Sequence, residues 1–186
     1  TIAVDGSQIS TKQLYYIKFH KPAGYITAVE DRSHPVVMDL LPPEFKKMGV
    51  FPVGRLDKDT EGLLLLTNDG VWAHSIINGH KHVPKVYYVE FHGILSKEGL
   101  ERISVGIVLG DGIQCKPATI NILSDKSLEI TLEEGKYHQV KRMIGAAGGE
   151  VTYLKRLSVG HITLSGIEET NTYLEIGDQE IADFKK

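Results

Sequence analysis

The sequence predicts an α+β domain, built as a mixed, mostly antiparallel sheet with helices packed on it. Three observations carry that expectation. Strand-like segments outnumber helical ones along the 186 residues. Several neighbouring strand candidates are joined too tightly for parallel crossovers. The stretch Leu128 to Glu133 alternates cleanly, with Leu128, Ile130 and Leu132 on one face and Glu129, Thr131 and Glu133 on the other.

Leu14 to Phe19 and Tyr25 to Val29, rich in β-branched and aromatic residues, predict two strands around the turn His20-Lys21-Pro22-Ala23-Gly24. Val36 to Leu41 predicts a short helical turn stopped by Pro42-Pro43. Val50 to Val53 and Leu63 to Thr67 predict strands flanking the polar loop Gly54 to Gly62, and the run Leu63 to Leu66 suits a buried strand. Asn68-Asp69-Gly70 signals a turn before a helix from Val71 to Asn78. Lys85 to His92 predicts a strand with Tyr87, Val89 and Phe91 on one face and Val86, Tyr88 and Glu90 on the other. Ser96 caps a helix running to about Val105. Pro117 to Leu123 and Leu128 to Glu133 form a hairpin, and His138 to Ala147 forms a helix ended by Gly148-Gly149. Strands follow at Val151 to Leu157 and His161 to Leu164, with one or two helical turns from Asp178. The first ten residues stand apart from the main sheet and resemble a hairpin fragment.

Composition excludes several classes. The chain is 41% hydrophobic and 24% charged, ordinary for a globular protein. No apolar run approaches the roughly 18 residues of a membrane span, and Thr1 to Gly6 carries no secretory signature. A cytoplasmic location is the expectation. A lone Cys115 excludes an internal disulfide and a cysteine-based zinc cluster, and reads as a small buried hydrophobe. The histidines lack zinc-motif spacing, and neither a P-loop nor a dinucleotide fingerprint is present. The net charge of −3 argues mildly against nucleic-acid binding. Its distribution argues the other way. Bases gather at Lys81-His82 with Lys85, at Lys136 to Arg142 and at Lys155-Arg156 with His161, while acids gather at Glu168-Glu169 and Asp178 to Asp183. Such segregation permits a positive groove on a mildly acidic protein.

Two segments are rich in chemistry. In Val53 to Thr67 a charged, glycine-bounded loop lies between apolar strands, so that Asp57, Asp59 or Glu61 could be held at a cleft edge beside Arg55. By pattern alone a solvated turn fits the loop better. In Glu134 to Met143 a helix beginning near His138 places Val140, Met143, Ile144 and Ala147 on an apolar stripe. His138, Lys141 and Arg142 then share a basic face, with Lys136 just ahead of the helix. Phosphate contact and an ordinary solvated face are both open for it. Tyr87 faces either the core or a cleft, where it could stack on a base.

Taken in order, His20 to Gly24, Gly54-Arg55-Leu56-Asp57 through Leu66-Thr67, Lys85-Val86-Tyr87 and Gly135 through Met143 resemble the successive motifs of the RsuA family of ribosomal RNA pseudouridine synthases. The likeness runs from about Tyr16 to about Leu164, and the wording Lys-Tyr-His-Gln-Val-Lys-Arg-Met is closer to the small-subunit RNA enzymes. The resemblance implies a sheet in two lobes with the site in the cleft between them. It implies Asp57 as the catalytic carboxylate, Tyr87 as the tyrosine that stacks on the target base, and Lys136 as the cation paired with the aspartate. Arg55 is implied to contact RNA and hold the flipped nucleotide; Lys21, Lys85, His138, Lys141 and Arg142 are further expected RNA contacts. No cofactor or metal is implied. The expected substrate is a uridine of 16S ribosomal RNA, of the uridine-516 type, met in ribosomal RNA or an assembly intermediate by a monomer. Residues 1–12 are expected to be a remnant of the family's N-terminal RNA-binding domain or a linker, and residues 13–186 the catalytic domain. The segment Glu169 to Leu174 departs from the glycine and arginine common in the family's last strand. Three other readings stay open: an RNA-binding module of the same fold without catalysis, a 23S RNA-directed synthase, and a glycosidase or nucleosidase pairing Asp57 with Asp59 or Glu61.

Overall fold

The computed structural model describes residues 2–4, 7–9, 13–78, 83–136 and 138–184; for the first two of these segments it describes the backbone only. Strands β1 (Ile2–Val4) and β2 (Ser7–Ile9) pair with each other, apart from the main sheet. The main sheet contains β3 (Tyr16–Lys21), β4 (Phe51–Val53), β5 (Glu61–Thr67), β6 (Lys85–Gly93), β7 (Thr119–Ser124), β8 (Ser127–Leu132), β9 (Gly149–Val159), β10 (Ile162–Thr163) and β11 (Tyr173–Glu175). Its order is β11-β3-β5-β9-β6-β8-β7, with β4 also on β5 and β10 also on β9. Every pairing is antiparallel except that of β5 with β9, which spans only Glu61 with Lys155 and Gly62 with Arg156. This short parallel seam joins two halves, the lobes expected from the sequence.

The helices are α1 (Pro43–Lys47), α2 (Gly70–Ile77), α3 (Lys97–Val105), α4 (Gln139–Ala146) and α5 (Asp178–Asp183), with a 3-10 turn at Val37–Leu40. The four-leucine run shows why the sheet is covered on both sides. Leu64 and Leu66 enter a core with the 3-10 turn and Phe45 of α1, a core that continues under the second lobe with Ile103 of α3 and Val140, Met143 and Ile144 of α4. Leu63 and Leu65 point the other way, into a second core with Trp72 and Ile76 of α2 and Ile181 of α5. All four leucines are at most 1% exposed. The alternations read in β6 and β8 hold, with Tyr87, Val89, Phe91, Leu128, Ile130 and Leu132 all buried. Local capping acts as expected at Ser96, whose hydroxyl accepts from the Gly99 amide, and Asp69 caps α2 by accepting from Val71 and Trp72.

Two expectations are corrected. Tyr25 to Val29 is not a strand beside β3. Its place there is taken by β5 and β11, while the segment folds away to meet Pro35 to Val37 through the Ile26 amide and carbonyl. Its apolar side chains pack against the first core instead of entering a ladder. The short helical turn does stop before Pro42-Pro43, as Val37–Leu40, and Pro43 then opens α1 at its first position, where the missing amide is harmless. Val151 to Leu157 extends into the eleven-residue strand β9. Among the described residues no helix is long and apolar enough to cross a membrane.

Candidate active site

The loop between β4 and β5 is built by main-chain contacts. The Thr60 amide donates to the Asp57 carbonyl at 3.0 Å, closing a turn. Thr27 Oγ1 donates to the Leu56 carbonyl at 2.9 Å and accepts from the Leu56 amide at 3.1 Å. The Gly24 amide donates to the Lys58 carbonyl at 2.8 Å. Lys21, expected to contact RNA, is instead 0% exposed. Its Nζ donates to the carbonyls of Pro22 (3.0 Å), Asp57 (3.2 Å), Lys58 (3.1 Å) and Thr60 (2.8 Å). The lysine-proline-glycine turn is therefore the mount on which the Asp57 loop sits, and Lys21 is a positioning residue.

Burial pushes the Lys21 ammonium down from 10.5 to about 8, against the pull of Asp59, Asp57 and Glu61. We expect Lys21→Met to lose about 3 kcal/mol of stability, since buried carbonyls lose their donor at roughly 1 kcal/mol or more each, less the relieved burial of a charge. The same change lets the loop drift and lowers turnover about 100-fold, the scale of a 1 Å misplacement. Between pH 8 and 10.5 the unfolded chain retains a proton that the folded chain sheds at Lys21. The Lys21 contribution to unfolding free energy therefore rises with pH across that window. Urea titrations of native and Lys21→Met protein from pH 7 to 10.5 check the sign: their stability difference should widen as pH rises. A difference that is flat or that narrows would contradict it.

Opposite the loop, across the seam, stand β6 and the turn leading into α4. Tyr87 reaches the cleft from β6 and is 8% exposed. The turn before α4 is organised by Gln139, a residue the sequence reading passed over. Its Oε1 accepts from the Lys136 amide at 2.9 Å, and its Nε2 donates to Glu134 Oε1 at 2.8 Å. Its place at the start of the expected helix was the available signal, and its burial came only with the fold. His138 caps α4 in the left-handed region at φ 48°, a conformation that costs a non-glycine residue about 1 kcal/mol or more. That backbone aims its ring at the loop.

Asp57 lies 28% exposed between these groups. Lys141 Nζ is 3.4 Å from its Oδ2, and His138 Nε2 is 3.4 Å from its Oδ1. Asp57, Tyr87, Lys136, His138, Lys141 and Arg55 line one cavity of about 70 Å3. The expected Asp57–Lys136 pair is not formed. Lys136 Nζ turns to Glu134 Oε2 at 3.5 Å, because the tight turn held by Gln139 places that carboxylate beside it. Lys141 also donates to Asp59 Oδ1 at 2.7 Å, and this hydrogen bond holds the Asp59 carboxyl below the usual carboxylate range. Burial opposes the charge on Lys141, but the Asp59 hydrogen bond and the Asp57 charge raise its pKa. Glu61 leaves the cluster and hydrogen-bonds Tyr153, which is pushed up to about 12 by burial and then by Glu61.

The other expected RNA contacts divide. Arg55 is exposed at the cleft mouth. Arg142 Nη2 pairs with Asp111 Oδ2, tying α4 to the loop before β7. Lys85 lines an adjoining cavity with Tyr87 and Lys136. Lys81 and His82 lie outside the described residues. Thr60 Oγ1, also on the Asp57 cavity, is buried with no hydrogen-bond partner among the described residues. Among those residues, no group of three or more His, Cys, Asp or Glu side chains could hold a metal ion.

The arrangement is a carboxylate held between a lysine ammonium and a histidine ring at the edge of a cleft, facing a buried tyrosine. The sequence model for RNA pseudouridylate synthase matches residues 15–146. The chain is 41% identical over 184 residues to the uncharacterized RNA pseudouridine synthase YtzG of Bacillus subtilis, spanning 97% of this chain and 77% of that protein. It is 34% identical over 185 residues to ribosomal small subunit pseudouridine synthase A of Escherichia coli K12, spanning 97% of this chain and 79% of that one. A crystal structure of a pseudouridylate synthase matches with a TM-score of 0.84 and 33% identity, over 93% of this chain and 74% of the other.

Proposed function

The chain belongs to the RNA pseudouridylate synthase family, and from that premise we propose that it isomerises a specific uridine of small-subunit ribosomal RNA to pseudouridine, with Asp57 as the reacting carboxylate. The observation that carries the reading is the position of Asp57. Its carboxylate stands at a cleft between two lobes, between Lys141 and His138, on a cavity shared with Tyr87 and Lys136.

The reaction breaks the bond from the ribose C1′ to uracil N1, turns the freed ring and joins C1′ to C5. N1 gains a proton and C5 loses one, so atoms and oxidation state balance without a co-reactant. The target base is stacked in RNA and must be everted, at a few kcal/mol. Phosphate contacts from Arg55 and the neighbouring cations offset that cost. Asp57, held between Lys141 and His138, attacks the sugar or the base or takes a sugar proton. Tyr87 covers the detached uracil, and its burial keeps bulk water from the ring. Lys136, held by Glu134, lies close enough to stabilise charge on the departing base.

The target we favour is the uridine-516-type position of 16S RNA, on the likeness of Lys136 to Met143 to the small-subunit enzymes and on the small-subunit name of the Escherichia coli relative. Two measurements test the reading. Tritium released from small-subunit RNA labelled at uracil C5 reports the isomerisation. Pseudouridine mapping in cells lacking the protein identifies the site. Free uracil among the products would indicate a nucleosidase instead, and binding without tritium release would indicate a non-catalytic module.

A further inference from the structure

We propose that Arg156 and Lys85 form an anion-binding subsite next to Asp57, which takes a backbone phosphate of the RNA flanking the target nucleotide. The proposal rests on the synthase reading and adds a residue, Arg156, to the RNA-binding surface.

A cavity of about 580 Å3 adjoins the Asp57 cavity, and Arg55, Tyr87, Gly135 and Lys136 line both. Its size falls within the roughly 300–1,000 Å3 of ligand sites. Arg156 lines it from β9 although only 4% exposed. Its Nε donates to the Leu63 carbonyl at 2.8 Å, which fixes the plane of the guanidinium and uses one of its five donors. Lys85 lines the same cavity from β6, and its Nζ donates to the Val83 carbonyl at 3.2 Å. Among the described residues neither cation has a carboxylate partner. Burial, and then the charge of Arg156, lowers the pKa of Lys85.

A buried guanidinium facing a half-buried ammonium without a counter-ion is unfavourable on its own. The carboxylates of the cavity do not neutralise them. Glu134 already accepts from the Lys116 amide and Gln139 and pairs with Lys136, and Glu133 is exposed. An entering anion would relieve the repulsion, and a fixed guanidinium matches the paired oxygens of a phosphate. An RNA strand that places one nucleotide at Asp57 carries a phosphate on each side of it. The shared wall of the two cavities lets one of these phosphates reach Arg156.

The test is the salt dependence of binding to a transcript of small-subunit RNA, for native protein, Lys85→Gln, Arg156→Gln and Arg156→Lys. Each phosphate contact contributes roughly 0.7–0.9 to the slope of log affinity against log salt. Each Gln variant should lower that slope by about one contact and weaken binding about tenfold near physiological salt, whereas Arg156→Lys should keep the slope. Arg156→Gln also removes the donor to Leu63, so a misfolded protein there leaves the decision to Lys85→Gln. A Lys85→Gln protein with native melting and an unchanged slope would overturn the subsite. Tritium release by native protein is scored separately. A lowered slope without tritium release keeps the subsite and rejects the synthase reading, and the converse result does the reverse.

Discussion

Asp57→Asn is expected to lower pseudouridine formation by at least about 10^4-fold, the scale seen when a reacting side chain is removed, while RNA affinity stays within a few-fold of native. Asparagine fills the same space but cannot act as an anion or a base. The loop should keep its shape, because Lys21, Gly24 and Thr27 hold it through main-chain groups and not through the Asp57 carboxylate. Folding should change little, since the carboxylate is 28% exposed and its ion pairs are partly screened. Single-turnover tritium release and filter binding on the same preparations separate the two effects. Turnover near native in the asparagine protein would remove Asp57 from the chemistry.

Gly62→Ala is expected to lose about 4 kcal/mol of stability, a large part of what a domain of this size possesses. Gly62 has φ +117°, and an added Cβ would lie 2.2 Å from the Arg156 carbonyl oxygen and 2.5 Å from its amide nitrogen. Left-handed strain contributes about 1–3 kcal/mol and the backbone clash a similar amount. The clash falls on the two-residue seam that joins the lobes. Asp57 belongs to one lobe, and Tyr87, Lys136 and Lys141 to the other. Activity should therefore fall with stability. Gly54→Ala is the control: φ is +76° but nothing lies within 4 Å of the added atom, so strain acts alone and about 1 kcal/mol is expected. Urea midpoints for the two variants should differ several-fold in their displacement from native. Equal displacements would show that the seam tolerates the extra atom.

Much of the framework was legible because it depends on pattern. The leucine run and the alternations in β6 and β8 are one-dimensional records of which face is buried. What sequence could not show was contact between distant segments. Lys21, next to a proline-glycine turn, has the look of an exposed base, and lysine is almost never fully buried. Its four carbonyl partners lie partly 36 to 39 residues away. The same limit affected the partner of Asp57. Lys136 and Lys141 are five residues apart, and only the turn fixed by Gln139 decides which one faces the loop and which faces Glu134. Tyr25 to Val29 has strand composition, but β5 and β11 already occupied both sides of β3.

The Lys21 ammonium recognises peptide oxygens alone. Nothing it touches depends on the identity of the residue at position 58, whose side chain is exposed. The shape of the segment is thus inherited separately from its lettering. Replacements at Lys58 can alter which RNA is welcomed at the rim while the reacting oxygen stays where the strand turn put it, and selection for a new target need not rebuild the chemistry.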